Sequence, residues 1–532
     1  MSADFKNKCP FPVTLLMARD GFHNDPNKPI GRRSAGEAFL KAYLLYGGNR
    51  THHLVFQNKQ SREYFEELAR KVDPTTEIRG VNVRGWDTSA QVTGTFHIPD
   101  PVLGQWAWKR MVLGDGSLSL MGIVHSLSNT VAQQALTDFC TAPIRSWDAL
   151  ICTSRASQKV VQGFLDRKEA YLRWRLGAQR FERPLLPVIP LGIHPEPWQP
   201  RNGLNRSEIR REARHQLSLP QDATLVLIAG RLDNMTKFHP DPLLRVLELL
   251  RNEDHHQLEL VVYGEAWNAD ELQRWKQGAK QLAPNLPIHW IPGRKSDLAA
   301  PVRWASDLFV SLPDNPQETF GITPLEAMAA ELACVVSDWD GYKDTVIAPG
   351  EAEQATGIRI PTRMQEGLGT QEAWARLNGV IGERDALGRV AQGIAVDPEA
   401  LRQSLKELIN APDRREAMGA AGRARVRRCY DWKILIETWR ELVGELTQRR
   451  FQAIKEGRTL EPKLPPWQPN TSTGFGCYAS EVLSRDWEPT PPPIALEQER
   501  LENPFQEWDR DLLNIDSPRR RGWWLKQGLV QP

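Results

Sequence analysis

The sequence has 532 residues, too many for a single hydrophobic core, and this length predicts two to three domains. Lys and Arg number 68 against 66 Asp and Glu, a net charge of +2, so no strong positive field argues for a nucleic-acid partner. The six cysteines lack C-x-x-C spacing, and neither a signal peptide nor an apolar run of about 20 residues is evident. These features predict a cytoplasmic protein with reduced cysteines and no zinc site.

The first 200 residues alternate strands with helices, the pattern that builds a parallel sheet. Apolar residues 13–18 predict a strand, 34–45 a helix and 53–57 a second strand. Residues 80–116 show no readable period, so no element is predicted there. Further strands are predicted at 118–124, 147–152 and 187–193. The first domain should therefore be a doubly wound α/β domain.

His125 directly follows the strand predicted at 118–124. Ligands of α/β domains bind outside the carboxyl ends of the strands, which makes His125 a candidate site residue. The alternative is a core histidine that is hydrogen-bonded to the backbone.

The second half of the chain repeats the same alternation. Prolines and polar residues around 195–205 predict a linker, with the domain boundary near residue 200. Strands are predicted at 223–229, 258–263, 288–291, 308–312 and 334–337, with helices between them. A second doubly wound sheet follows from this pattern.

Two cations, Arg231 and Lys237, lie in the loop after the strand predicted at 223–229. An arginine fork and a lysine point charge in one strand-to-helix loop suit the neutralisation of a diphosphate. The alternative is that both are surface charges on an exposed loop.

Residues 311–346 read SLPDNPQETFGITPLEAMAAELACVVSDWDGYKDTV. A strand stops at Pro313, a polar loop carries Glu318, and Thr323 is predicted to cap a helix in which Glu326 closes a capping box. The free N–H groups at such a helix start attract anions, phosphate above all.

The run E-T-F-G-I-T-P-L-E-A-M-A, with Glu318 and Glu326 at its two glutamate positions, resembles the donor-site signature of the retaining glycosyltransferases of family four (glycosyl transferases group 1). This resemblance implies the GT-B fold, in which two Rossmann-like domains face a cleft. It also implies a nucleotide-diphosphate sugar as co-substrate, no cofactor or metal, and hexosyl transfer with retention of configuration. The spacing between Arg231 and Lys237 departs from the family pattern by one residue.

The resemblance also assigns roles to single residues. Glu318 and His125 are expected to serve catalysis at the donor sugar. The expected donor-binding residues are Gly31, Arg231, Lys237, Gly321, Ile322, Thr323 and Glu326, the last at the ribose hydroxyls. Two alternatives stay open, because Gly31 suits a mere turn and Glu326 suits a mere helix cap.

The resemblance completes the expected domain division. The domains are an acceptor domain, a donor domain, a helix that crosses back to the first domain, and a Pro/Trp-rich extension, at 1–199, 200–430, 431–457 and 458–532. Partners are expected to be the nucleotide sugar and a glycan, lipid or small-molecule acceptor, and not nucleic acid. The extension is expected to strap along the domains, and peripheral membrane contact through Arg519-Arg520-Arg521 and Trp523-Trp524 is the alternative. A catalytically silent scaffold, a phosphorylase and an epimerase remain alternative functions.

Overall fold

The computed structural model describes residues 11–22, 31–199, 203–253, 257–480 and 482. The chain divides into a unit that ends at Lys463 and a unit that begins at Leu464. Both large sheets belong to the first unit.

The first sheet has six parallel strands in the order β3-β2-β1-β4-β5-β6. They are β1 (Thr14–Met17), β2 (Thr51–Phe56), β3 (Glu77–Asn82), β4 (Thr95–Ile98), β5 (Ser119–Ile123) and β6 (Ala149–Ile151). The helices of this half are α1 (Arg19–Phe22), α2 (Gly31–Tyr46), α3 (Lys59–Val72), α4 (Trp86–Thr93), α5 (Leu103–Arg110), α6 (Thr130–Asp138) and α7 (Arg155–Leu176).

The second sheet also has six parallel strands, in the order β12-β11-β10-β7-β8-β9. They are β7 (Thr224–Arg231), β8 (Leu258–Glu265), β9 (Ile288–Pro292), β10 (Leu308–Ser311), β11 (Ala333–Ser337) and β12 (Gly357–Ile360). The helices between them are α8 (Arg206–Gln216), α9 (Asp241–Glu253), α10 (Ala269–Leu282), α11 (Ala299–Ala305), α12 (Ile322–Ala329) and α13 (Tyr342–Thr345).

A small antiparallel pair and five helices follow the second sheet in the first unit. They are β13 (Thr362–Met364), α14 (Thr370–Leu377), α15 (Glu383–Ala391), β14 (Ile394–Val396), α16 (Pro398–Asn410), α17 (Pro412–Cys429) and α18 (Trp432–Lys455). The second unit has α19 (Thr471–Phe475) among its described residues.

Both sheets share one strand order, in which the first strand of each half lies beside the fourth. The order therefore reverses between β1 and β4 in the first sheet and between β7 and β10 in the second. In doubly wound sheets a crevice opens at this switch point, outside the carboxyl ends of the two strands, and ligands bind there. The expectation of two doubly wound Rossmann-like sheets is confirmed.

Helix α18 packs against the first half of the unit, which is the first sheet with its helices, although α18 follows the second sheet in the chain. Its Trp439 ring lies 4.5 Å from the ring of Phe39 on α2 and 5.3 Å from that of His97 on β4. Its Arg450 donates 2.6 Å to the Gly94 carbonyl, just before β4.

The segment without a predicted element, 80–116, contains part of β3 and all of α4, β4 and α5. Trp86 and Trp106 lie there with their rings packed 5.1 Å apart in a buried cluster. Strand and helix prediction depends on the regular spacing of apolar residues, and large buried aromatic residues among polar neighbours obscure that spacing. The strand predicted at 187–193 was wrong, because only single bridges at Val188 and Ile193 form there.

No helix in the described ranges is long and apolar enough to cross a membrane. The described cysteines are free, and Cys152 and Cys334 are buried as expected, whereas Cys477 is exposed. The basic and aromatic segment at 519–524 lies outside the described residues.

Candidate functional site

The crevice at the switch point of the second sheet collects most of the predicted site residues. Arg231 is the last residue of β7, and Lys237 follows in the loop before α9. Glu318 lies in the loop between β10 and α12. Because β7 and β10 are adjacent, the two loops meet at one edge of the sheet.

Lys237 and Glu318 form an ion pair across this crevice, with Nζ and Oε2 3.0 Å apart. Burial alone would raise the pKa of Glu318, but the Lys237 ammonium and the N–H groups of Thr319 and Phe320 bring it below its usual value. The side chain of Glu318 is 19% exposed. Glu318 is therefore an ionised carboxylate at neutral pH that remains reachable from the crevice.

Arg231 is held against its own loop and against an aromatic ring. Its guanidinium lies 4.7 Å from the centre of the Trp267 ring and donates 3.3 Å to the Thr236 hydroxyl. Asp233 is 3.9 Å from Arg231 and accepts 2.9 Å from the Trp267 indole N–H. The two cations of this loop are thus fixed in place, and neither is a loose surface charge.

Asp314 and Asn315, in the loop that follows β10, anchor the Lys237 loop. The Asn315 amide donates 2.7 Å to the Lys237 carbonyl, and Asp314 accepts 3.0 Å from the His239 N–H. Burial raises the pKa of Asp314 to about 6. Sequence reasoning missed both residues, since their partners lie more than 70 positions away.

Helix α12 begins two residues earlier than predicted. Gly321 is its N-cap, with φ of 85° and no capping side chain among the described residues. The prediction of Thr323 as N-cap is therefore wrong, because the left-handed glycine turns the chain before Ile322. Thr323 lies inside the first turn. The first-turn N–H groups that follow Gly321 lack a side-chain acceptor and can receive an anion.

Glu326 is paired with the buried Arg303 of α11 and does not close a capping box with Thr323. Burial raises the pKa of Glu326, and the Arg303 charge opposes that rise. The Arg303 guanidinium lies between the rings of Trp198 and Tyr263, at 4.9 and 5.7 Å. Arg303 was not predicted, although an arginine inside the apolar run AAPVRWA was a signal for it.

The first sheet supplies the remaining two predicted residues at its own switch point. Gly31 is the first residue of α2, and a Cβ there would meet nothing within 4 Å. His125 lies just beyond β5, and its Nε2 is 3.1 Å from the Pro99 carbonyl at the end of β4. Burial, together with the nearby Arg32 charge, lowers the pKa of His125 to about 3, so the ring is neutral. His125 is thus hydrogen-bonded to the backbone, which is the arrangement that the alternative interpretation of the sequence predicted. A contact of His125 with the donor sugar stays a prediction.

Contacts join the carboxyl edges of the two sheets. Ser154, the N-cap of α7, donates 2.8 Å to the Thr319 carbonyl, next to Glu318. Arg155 and Asp344 pair at 2.6 Å. The structure therefore places the start of α7 directly against the loop that carries Glu318.

Among the described residues, no cluster of three or more His, Cys, Asp or Glu side chains is arranged to hold a metal ion. The polar groups of the crevice include the two cations, the carboxylates paired with Lys237 and Arg303, and the helix start at Gly321.

Residues 209–369 match the family model described as "Glycosyl transferases group 1". The chain is 28% identical over 171 residues to D-inositol 3-phosphate glycosyltransferase of Thermomonospora curvata, covering 31% of this chain and 38% of the relative. It is 25% identical over 274 residues to the enzyme of that name from Kineococcus radiotolerans, covering 49% of this chain and 52% of the relative. The matches thus span about two fifths and one half of these relatives.

Solved structures with a similar fold cover more of the chain. HepE of Anabaena, solved in complex with UDP, has a TM-score of 0.52 and 14% identity, covering 84% of this chain and 99% of HepE. A glycosyltransferase from Rickettsia africae has a TM-score of 0.52 and 12% identity, covering 82% of this chain and 97% of the other. At these identities the likeness concerns the fold alone.

The strand order of both sheets, the two glutamates around Gly321 and the match over residues 209–369 agree with one another. The chain has the GT-B fold, and residues 209–369 of its second half match the model of the glycosyl transferases group 1 family.

Proposed function

We propose that the protein is a glycosyltransferase that moves a hexosyl group from a nucleotide-diphosphate sugar to an acceptor, with retention of configuration. The observation that carries the proposal is the Lys237–Glu318 pair at the switch point between β7 and β10. It puts a cation and an ionised carboxylate in the crevice where doubly wound sheets bind nucleotides.

The cations of the crevice suit the diphosphate. In the proposed complex Arg231 and Lys237 neutralise it, together with the first-turn N–H groups of Ile322 and Thr323 after Gly321. These groups stabilise the charge that develops on the leaving phosphate, the largest electrostatic demand of the reaction. They supply that compensation from the protein itself, and no cofactor is part of the proposal.

Glu318 and Glu326 take different roles because their surroundings differ. The lowered pKa keeps Glu318 ionised, so it accepts hydrogen bonds from sugar hydroxyls or balances positive charge at the anomeric carbon. Glu326, oriented by Arg303, is proposed to accept from the ribose hydroxyls.

In the proposed transfer the bond from the anomeric carbon to the diphosphate oxygen breaks. The bond to the acceptor oxygen forms on the same face. The acceptor proton passes to the leaving phosphate oxygen, so no separate base is required. His125, neutral and on the facing sheet, is proposed to contact the donor sugar.

The acceptor is proposed to be a glycan, a lipid or a small molecule, bound at the first sheet half. Peripheral membrane contact through Arg519-Arg520-Arg521 and Trp523-Trp524 is also proposed.

Nucleotide binding and sugar transfer test the proposal separately. UDP is the first probe, because HepE was solved with it, followed by ADP, GDP and the corresponding diphosphate sugars. A bound nucleotide should stabilise the fold by about 2.7 kcal/mol at 100 times its Kd.

Two variants test nucleotide binding and sugar transfer separately. Lys237→Ala should weaken nucleotide binding about tenfold, since a charge-assisted contact to phosphate is lost. Glu318→Gln should keep nucleotide affinity within about twofold and slow sugar transfer about 100-fold. Lys59→Ala on α3, where the side chain is 85% exposed, is the matched control. Absence of binding by every nucleotide and nucleotide sugar would overturn the proposal in favour of a silent scaffold.

A further inference from the structure

Helix α7 carries an exposed aromatic face that core packing does not explain. The buried residues of α7 include Val161, Leu165 and Leu172, which already attach the helix to the first sheet half. Tyr171 and Trp174 lie on the opposite side, 49% and 78% exposed. Trp174 is the most exposed tryptophan in the described part of the chain.

The two rings are neighbours on one helical face. They lie three residues apart, one turn of helix, and their centres are 5.8 Å from each other. Arg167 and Arg175 lie four residues before and four residues after Tyr171 and are also exposed. We call Arg167, Tyr171, Trp174 and Arg175 the outer face of α7.

Positive charge is concentrated around this face. Residues 166–183 contain six Lys or Arg and three Asp or Glu, in a chain whose charges otherwise nearly cancel. Glu169 and Asp166 pair with Arg173 and Arg183. Within the described ranges, Arg167 and Arg175 form no ion pair, so their charges remain available to a partner.

Exposed tryptophan and tyrosine among unpaired arginines is the composition that suits the interface of an anionic bilayer. The rings sit at the level of the headgroups, and each cation near the surface adds attraction to acidic lipids. A nucleic-acid partner would also meet the cations, but the face is a convex helix surface without a groove for a strand. We propose that the outer face of α7 docks the protein on an anionic membrane surface.

The docking face lies far from the donor crevice along one rigid element. Helix α7 has 22 residues, about 33 Å at 1.5 Å per residue. Its first residues contact Thr319 and Asp344 at the crevice, and the aromatic pair lies near its other end. The proposal concerns where the protein is held and does not depend on the proposed sugar transfer.

Co-sedimentation of the full chain with vesicles tests the docking. Phosphatidylcholine vesicles with about 30% phosphatidylglycerol should bind the protein, and pure phosphatidylcholine vesicles should bind it at least tenfold more weakly. Raising the salt to 0.5 M should release it, because surface attraction is screened. Binding to neither vesicle, or equal binding to both, would overturn the proposal.

Variants locate the contact. Arg167→Glu with Arg175→Glu should weaken binding to the anionic vesicles more than tenfold, and Trp174→Ala should weaken it severalfold. Trp374→Ala on α14, where the ring is 64% exposed, and Arg62→Glu with Arg70→Glu on α3 are matched controls that should bind as wild type. Circular dichroism checks that each variant is folded.

A third pair of substitutions separates α7 from the carboxyl-terminal segment. If Arg520→Glu with Arg521→Glu abolishes vesicle binding while the α7 variants bind as wild type, the outer face of α7 is not the docking surface. Loss in the α7 variants with binding retained in the Arg520 and Arg521 variant supports the proposal.

Discussion

Asp314 is a buried carboxyl that holds the Lys237 loop, and its burial disfavours its ionised form. It is 6% exposed, and its Oδ1 atom has no hydrogen-bond partner in the described part of the chain. Burial raises its pKa to about 6, from an ordinary value of 3.8. A neutral carboxyl in this position is therefore easier to accommodate than a carboxylate.

The raised pKa predicts a pH dependence of stability. The folded carboxyl holds its proton more tightly than the unfolded one, so its contribution is present below about pH 4 and is lost as the pH rises through about 6. The free energy of unfolding should therefore fall by about 2–3 kcal/mol across that window. Asp314→Asn, which is neutral and keeps an acceptor for the His239 N–H, should remove most of this fall.

Urea unfolding at pH 4, 5, 6 and 7 measures the effect. Asp222→Asn changes an exposed aspartate and should leave the wild-type slope in place. An unchanged slope in Asp314→Asn would show that Asp314 ionises in the folded protein as it does in the unfolded one.

Residues that act through distant partners could not be predicted from the sequence. Glu318, Arg231 and Lys237 were predicted from their loops, and the structure brings them to one crevice. Arg303 was missed because its partner Glu326 is 23 positions away and reaches it only after α11 and α12 pack. Thr323 was misplaced because a left-handed glycine replaced the capping side chain.

At the scale of elements, the turn before α12 depends on a glycine for two independent reasons. Gly321 has φ of 85°, and a Cβ there would lie 1.9 Å from Cε1 of the Tyr342 ring. Tyr342 is buried and fixed by a 2.8 Å hydrogen bond with the Ser311 hydroxyl. The ring cannot move aside without losing this hydrogen bond.

Two alanine substitutions separate these reasons. Gly350 has nearly the same φ, 87°, but a Cβ there meets nothing within 4 Å. Gly350→Ala should cost only the backbone strain, about 1 kcal/mol, whereas Gly321→Ala should cost about 3 kcal/mol or more. Urea unfolding of both variants compares the costs, and equal values would mean that Tyr342 yields to the added methyl group.

Sequence reasoning found elements where apolar runs were continuous. The strands at 223–229 and 308–312 were predicted within two residues of β7 and β10, because strands buried on both faces are apolar throughout. It failed for β4, a four-residue strand in a segment where buried tryptophans interrupt every period. It also missed α14, which has no buried residue, and α15, whose Arg384 pairs with Glu271 of α10.

At the scale of the whole first unit, several contacts join the two sheet halves, and two of them pair a backbone N–H with a carboxylate. Arg155 at the start of α7 donates its N–H to Asp344 at 2.6 Å. Thr130 at the start of α6 donates its N–H to Glu383 of α15 at 3.1 Å. Both carboxylates belong to the second half and both amides to the first.

Hydrogen exchange can show whether the two contacts open together. Glu383→Ala should accelerate exchange at Thr130 about fivefold, since one charge-assisted hydrogen bond is lost. If the halves separate as rigid bodies, exchange at Arg155 should accelerate as well, and Asp344→Ala should give the reciprocal result. We expect both amides to respond to either substitution.

Mass spectrometry of peptides that contain each amide measures the rates. Glu63→Ala on α3, where the side chain is 61% exposed, is the control and should change neither. Acceleration confined to the directly affected amide would mean that the contacts open independently.

The return of α18 to the first half has a consequence for synthesis. Phe39 packs its ring against Trp432 and Trp439, and Arg450 bonds the carbonyls of Gly94 and Ser117. At about 5–20 residues per second, the ribosome adds the chain between these partners over tens of seconds. For that interval the nascent amino-terminal half lacks part of its own core and exposes the apolar surface that α18 later covers. Packing of α18, the last helix of the first unit, thus completes the core of the amino-terminal half, which leaves the ribosome first.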